Sequence, residues 1–185
     1  MKIDLSKENI KREAKEWAQS IIVALILTLI IRTFVIQAFK IPSGSMIPTL
    51  LVGDKLFVNK YVYRFESPKH GDIIVFKYPD DPKKDFIKRL VAVGGEIVEI
   101  RNGKIIVNDT TLDDPNTFGK FYYYNHEPYG GPGMKVRVPD DSYFVLGDNS
   151  ANSTDSRFWG FVPKKNVLGK AIFRWWPLNR LGKIE

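Results

Sequence analysis

The chain has 185 residues, enough for one membrane element plus one compact domain and little more. With 44% hydrophobic and 26% charged residues it lies near the globular average, which excludes global disorder. The 28 Lys+Arg against 21 Asp+Glu leave a net charge of +7, which suits acidic lipid headgroups. The charges are scattered, however, and no zinc-finger spacing or RNA-binding aromatic motif accompanies them, so nucleic acid is not read as a partner. The absence of cysteine excludes disulfides, thiol nucleophiles and thiolate metal sites together.

Residues 1–16 are basic, with Lys2, Lys7, Lys11, Arg12 and Lys15, and place Ile3, Ile10, Ala14 and Trp17 on one helical face. They are read as an amphipathic leader on the inner membrane surface, with a frayed tail as the alternative. From Trp17 the chain runs WAQSIIVALILTLIIRTFVIQAFK, with Arg32 as its one charge before Lys40. Roughly twenty mostly apolar residues can cross about 30 Å of hydrocarbon as a helix, so 17–39 is read as a transmembrane anchor. A core helix would carry a polar stripe, and Ile21 to Ile31 shows only Thr28. A cleaved signal peptide would have a shorter basic region and a small-residue cleavage site. The cations before the segment outnumber Arg32, Lys40 and Lys55 after it, which places the N-terminus inside and 40–185 outside.

After Pro48 short β-type runs alternate with turns: KLFVNKYV, DIIVFKY, FIKRLVAV, EIVEI, KIIVN, MKVRV and SYFVLGD. Arg101-Asn102-Gly103-Lys104 predicts a two-residue hairpin, because Asn-Gly tolerates the positive φ of a type I′ turn. Residues 109–133 break this rhythm with Pro, Gly and the cluster Tyr122, Tyr123, Tyr124. They are read as an inserted loop or partial excursion, the place where disorder or a partner contact is expected. The fold class is therefore mainly β after one N-terminal helix.

The inventory of reactive groups is short. The two histidines, His70 and His126, sit among turn residues, and no HExxH, Cys/His ladder or phosphate-binding glycine loop is present. Serine with lysine remains. A serine hydroxyl needs a base, and a lysine serves if burial lowers its pKa from about 10.4 toward 8, at a cost of about 3 to 4 kcal/mol. Lys88 lies in such an apolar run, FIKRLVAV, where its alternative role is an edge-strand lysine that blocks aggregation. The stretch IPSGSMIPTL puts Ser43 and Ser45 on either side of Gly44 and between Pro42 and Pro48, a stiff turn just past the apolar segment.

Four stretches in order, SGSMIPTL, GDIIVF, IKRLVAVGGE and GDNSANSTDSRFWGFVP, resemble the motifs of bacterial type I signal peptidases, membrane-bound serine proteases that remove signal peptides. The resemblance covers almost the whole chain. It implies an antiparallel β catalytic domain with a small second β subdomain, behind a single-pass anchor in the cytoplasmic membrane. It implies Ser45 as nucleophile and Lys88 as general base, with the Ser43 hydroxyl and the Ser45 N–H as oxyanion donors. Ser153 matches the serine that orients the lysine, and Asp155 and Arg157 match a supporting ion pair. Ile41, Met46, Leu50, Phe86 and Ile87 match pockets that admit small residues, the Ala-x-Ala rule. No metal or organic cofactor is implied, and the partners are preprotein signal peptides, the bilayer and the export translocon. Ala92, Gly94 and Glu96 depart from the family's Gly, Pro and Asp, and Ser150 and Ala151 replace its Arg-Asp. A self-cleaving repressor-type Ser/Lys protease and an inactive membrane-tethered β module are the rival readings.

Overall fold

The computed structural model describes residues 7–30 and 36–184. Two compact units are present, divided between Ile36 and Gln37.

The first unit is the helix α1, Lys7–Ile30. The polar residues 7–16 run without a break into the apolar stretch, so the leader and the start of the expected anchor form one helix. Its apolar side chains are turned outward: Trp17, Ile21, Val23, Leu25, Ile26 and Leu29 are all exposed. Ser20 and Thr28 return their hydroxyls to the carbonyls of Glu16 and Ala24, which hides their polarity along the helix. Among the described residues no helix is long and apolar enough to cross a membrane. The apolar stretch from Trp17 to Ile30 has a rise of about 21 Å. Lys2, Ile3 and Arg32 lie outside the described residues.

The expected helix over 17–39 needs correction at its end, because β1 occupies Ile36–Lys40. Phe39 packs there against the core cluster that contains Met46 and Leu50, and that burial, with pairing to a strand, overrides helix continuation.

The second unit holds two sheets. The larger is built from β1, β2 (Lys55–Asn59), β3 (Ile73–Lys77), β4 (Asp85–Val93), β9 (Ser142–Leu146), β10 (Val162–Pro163), β11 (Val167–Trp176) and β12 (Gly182–Lys183). Its order is β1-β2-β11-β3-β4-β9-β10, with β12 added to β11. The smaller sheet, in order β7-β6-β5-β8, contains β5 (Ile97–Arg101), β6 (Lys104–Val107), β7 (Thr110–Leu112) and β8 (Lys135–Arg137). Asn102 and Gly103 have φ of 52° and 76° and Arg101 pairs with Lys104, the expected hairpin. Strands β1, β7, β10, β11 and β12 were not among the sequence expectations. In β11 glycine and cations interrupt the apolar pattern, and two register shifts against β2 spoil its alternation.

Three apolar clusters form the core. One joins the two sheets through Val91, Ala92, Val98, Ile100, Phe144 and Leu146. A second lies beneath the turn that carries Ser45, and a third holds Phe76, Leu90 and Val145. The 109–133 segment, expected as an inserted loop or partial excursion, sends Phe118 and Tyr123 into the first cluster, where both are buried. Tyr123 N–H also donates to Gly103 O at 2.9 Å, and Tyr122 and Tyr124 remain exposed.

Candidate active site

Residues Ile41–Asp54 form a closed loop. Ile41 N–H donates to Asp54 O at 2.8 Å, and Gly53 N–H to Ile41 O at 2.9 Å. Inside the loop a helical turn, with Leu50 N–H bonded to Met46 O, aims Met46 and Leu50 at the core. Ser45 is consequently held on a buried backbone. Its carbonyl accepts from Asn149 N–H, and Gly44 O accepts from Asn149 Nδ2, both at 3.0 Å.

Lys88 reaches the same point from β4. Its Nζ is 2.6 Å from Ser45 Oγ, and both residues are buried. Phe86 and Leu90 join one core cluster and Ile87 another, as the two-residue alternation of a strand requires. Among the described residues no carboxylate comes within ion-pair distance of Lys88. Burial therefore dominates and pushes its amine down to about 8, against the opposing pull of Asp155 and Asp148. A large fraction of Lys88 is neutral at mildly alkaline pH.

Beside this pair runs a cleft of about 380 Å³ lined by Pro42, Ser43, Gly44, Ser45, Asp85, Phe86, Ile87, Lys88, Asn152 and Thr154. Phe86 is stacked on Tyr78 with centroids 4.5 Å apart and meets the edge of Trp159, which fixes one wall. Strand β4 pairs with β3 from Asp85 to Arg89, but β9 joins it only from Arg89 onward. One backbone edge of Asp85–Lys88 is thus unpaired toward the cleft. Ser43 Oγ is 3.5 Å from Ser45 Oγ and is exposed to the cleft.

Two buried ion pairs brace the site. Arg157 holds Asp155 with two bonds of 2.8 Å, the expected pair. It also donates to Ser150 Oγ, Ser150 O and Tyr124 O, so Ser150 ties the 109–133 segment to this arginine. Arg89, next to Lys88, holds Asp148 in the same bidentate way, and Thr49 Oγ1 donates to Asp148 at 2.5 Å. Sequence reasoning missed Arg89 and Thr49, whose partner lies 59 and 99 positions away. It missed Gly147 too, where a Cβ would stand 2.2 Å from Ser153 Oγ and 2.5 Å from Ser45 O. Only the close approach of three segments reveals that need for glycine.

Ile41, Met46 and Leu50 are 2%, 0% and 0% exposed and belong to the core under the loop, so they support the cleft from behind and Phe86 and Ile87 line it. Ser153 is buried beside Ser45, but its Oγ has no hydrogen-bond partner, so the expected bond to Lys88 is not formed. The Ser153 hydroxyl packs closely against Gly147, in the space a Cβ there would need. Among the described residues no cluster of three or more His, Asp or Glu is arranged to hold a metal ion.

Known proteins are similar to this chain over most of its length. Residues 14–176 match the family described as signal peptidase, peptidase S26. Signal peptidase I of Leptolyngbya laminosa is 42% identical over 177 residues, spanning 91% of this chain and 83% of that protein. The probable signal peptidase I-2 of Synechocystis sp. is 42% identical over 174 residues, spanning 91% and 76%. Signal peptidase I of Aquifex aeolicus is 38% identical over 201 residues, spanning 80% and 78%. With the family match covering most of its length, the chain belongs to the signal peptidase family, peptidase S26, and is a serine peptidase.

Proposed function

We propose that the chain cleaves signal peptides from exported preproteins with Ser45 as nucleophile and neutral Lys88 as general base. The observation that carries this reading is the 2.6 Å contact between Lys88 Nζ and Ser45 Oγ, made by an amine that burial has shifted to about 8. The Ser45 hydroxyl donates to the uncharged amine. Proton transfer to Lys88 then accompanies attack of Oγ on the scissile carbonyl, and the new ammonium returns the proton to the leaving amine. Water repeats the cycle to release the acyl group. The oxyanion is held by the Ser43 hydroxyl and the Ser45 N–H; one such donor commonly supplies about 3 to 4 kcal/mol.

An extended substrate fits the unpaired edge of Asp85–Lys88, where backbone bonds would fix its register. The shallow apolar walls of Phe86 and Ile87 favour small side chains, in keeping with Ala-x-Ala. We assign the apolar part of α1, from Trp17, to the membrane anchor, with the N-terminus inside and the peptidase unit outside. There the active site meets signal peptides beside the bilayer and the export translocon.

The test is processing of an Ala-x-Ala substrate by the full chain in detergent. Ser45→Ala and Lys88→Ala each lose cleavage while retaining the wild-type circular dichroism spectrum. Cleavage near the wild-type rate by either folded variant would falsify the assignment.

A further inference from the structure

The loop that carries Ser45 is held from two sides. Its first arm is fixed by Asn149, and the Thr49 hydroxyl is fixed by Asp148. Its second arm meets the segment after β11, beyond the residues that match the family. Arg180 Nη1 donates to both oxygens of Asp54, at 3.0 and 2.8 Å. Arg180 Nη2 donates to Thr49 O at 3.2 Å, and Arg174 Nη1 donates to the same carbonyl at 3.1 Å. Arg174 Nε in turn donates to Arg180 O, so the two arginines are locked together.

Asp54 is 2% exposed and closes the loop: its backbone carbonyl takes Ile41 N–H, and its carboxylate takes Leu51 N–H at 2.9 Å. One guanidinium therefore grips the closing residue and a carbonyl four positions after the serine. Thr49 carries the constraint onward, because its hydroxyl is bonded to the Asp148 that Arg89 holds beside Lys88. Neither Arg174 nor Arg180 lines the cleft.

From this geometry we infer that Arg180, seconded by Arg174, is a positioning residue that sets the approach of Ser45 to Lys88 by clamping Asp54 and Thr49. This rests on the Ser45 and Lys88 assignment. The clamp is charge-assisted, with Nη1 on both oxygens of Asp54 and Nη2 on the Thr49 carbonyl, and a lysine has no second nitrogen with which to span the two partners. Without it the Thr49 arm is restrained by Asp148 and Arg174 alone. The loop then samples positions farther from Lys88, and water gains access to the amine.

The test compares the full chain with Arg180→Ala, Arg180→Lys and, in case Arg180→Ala fails to fold, Arg180→Gln, which leaves Asp54 its ion pair with Arg174 at 3.7 Å, and its combination with Asp54→Asn as a double variant. Lys183→Ala, in the same segment, is the control. Steady-state cleavage is measured across pH per mole of folded protein. The expected result for Arg180→Ala and the double variant is a kcat about 10 to 100 times lower, with KM changed by less than about twofold. The acid limb of kcat/KM also moves to higher pH, because a more hydrated Lys88 holds its proton more tightly. Arg180→Lys recovers part of kcat, and Lys183→Ala matches the wild type. An unchanged kcat in both folded variants, or a loss of kcat with the acid limb unmoved, overturns the clamp. Ser45→Ala is assayed in parallel: activity there refutes the dyad itself, whereas an inactive Ser45→Ala beside an unaffected Arg180→Ala refutes only the clamp.

Discussion

Lys88 and Arg89 are adjacent on β4, equally hidden from water, and electrostatically opposite. Arg89 is 0% exposed and delivers two parallel bonds to Asp148, so its charge is met as completely as a buried charge can be. Lys88 is 4% exposed and meets a serine hydroxyl and the face of Phe86. The strand turns successive side chains to opposite sides, and the fold brings a carboxylate within ion-pair distance of Arg89 while Asp155 and Asp148 act on Lys88 only from farther away. Burial alone does not make a base. Burial without an ion-paired counter-charge does, and the neighbouring pair shows what Lys88 would become if a carboxylate stood within ion-pair distance of it.

This contrast can be broken from either side, with opposite signs. Arg89→Met strands the Asp148 carboxylate in the interior and is expected to destabilise the peptidase unit by about 3 to 5 kcal/mol in urea unfolding followed by tryptophan fluorescence. A loss under 1 kcal/mol would mean that the pair is not a brace.

Lys88→Met removes a cation that the fold penalises, so it is expected to stabilise. A fall from 10.5 to about 8 corresponds to about 3 kcal/mol. The sign follows from proton counting: between about pH 8 and 10.5 the unfolded chain binds the lysine proton and the folded chain does not, so wild-type stability rises with pH through that window. The advantage of Lys88→Met is therefore fully present below pH 8 and fades as pH approaches 10.5. A Met variant less stable than wild type at neutral pH would show that Lys88 is paired after all.

The sequence made some of this plain and concealed the rest, for physical reasons. The hairpin at Asn102-Gly103 was legible because four consecutive residues determine it. Strand β4 was legible because apolar residues flank Lys88 and Arg89 on both sides, and the serine turn because proline and glycine are explicit. The meeting of Ser45 with Lys88 was suggested by chemistry and by resemblance, since 43 positions separate them. The braces were hidden for the same reason: Thr49 with Asp148 and Asp54 with Arg180 are 99 and 126 positions apart. Ile41, Met46 and Leu50 were matched to pockets by resemblance, and their burial under the loop was not legible because a turn has no periodicity that tells its inner side from its outer one. The 109–133 segment looked loose by composition, yet Tyr123 anchors it in the core and Ser150 and Arg157 grip it from another part of the chain.

The central claim concerns one proton on one nitrogen. Lysine labelled with 13C at Cε, with Lys88→Met to assign the resonance, allows that proton to be followed directly by NMR in the folded full chain. The account predicts a Lys88 midpoint at about 8. A midpoint near the ordinary lysine value of about 10.4 would contradict it, because the amine would then be cationic throughout the range in which Ser45 needs a base.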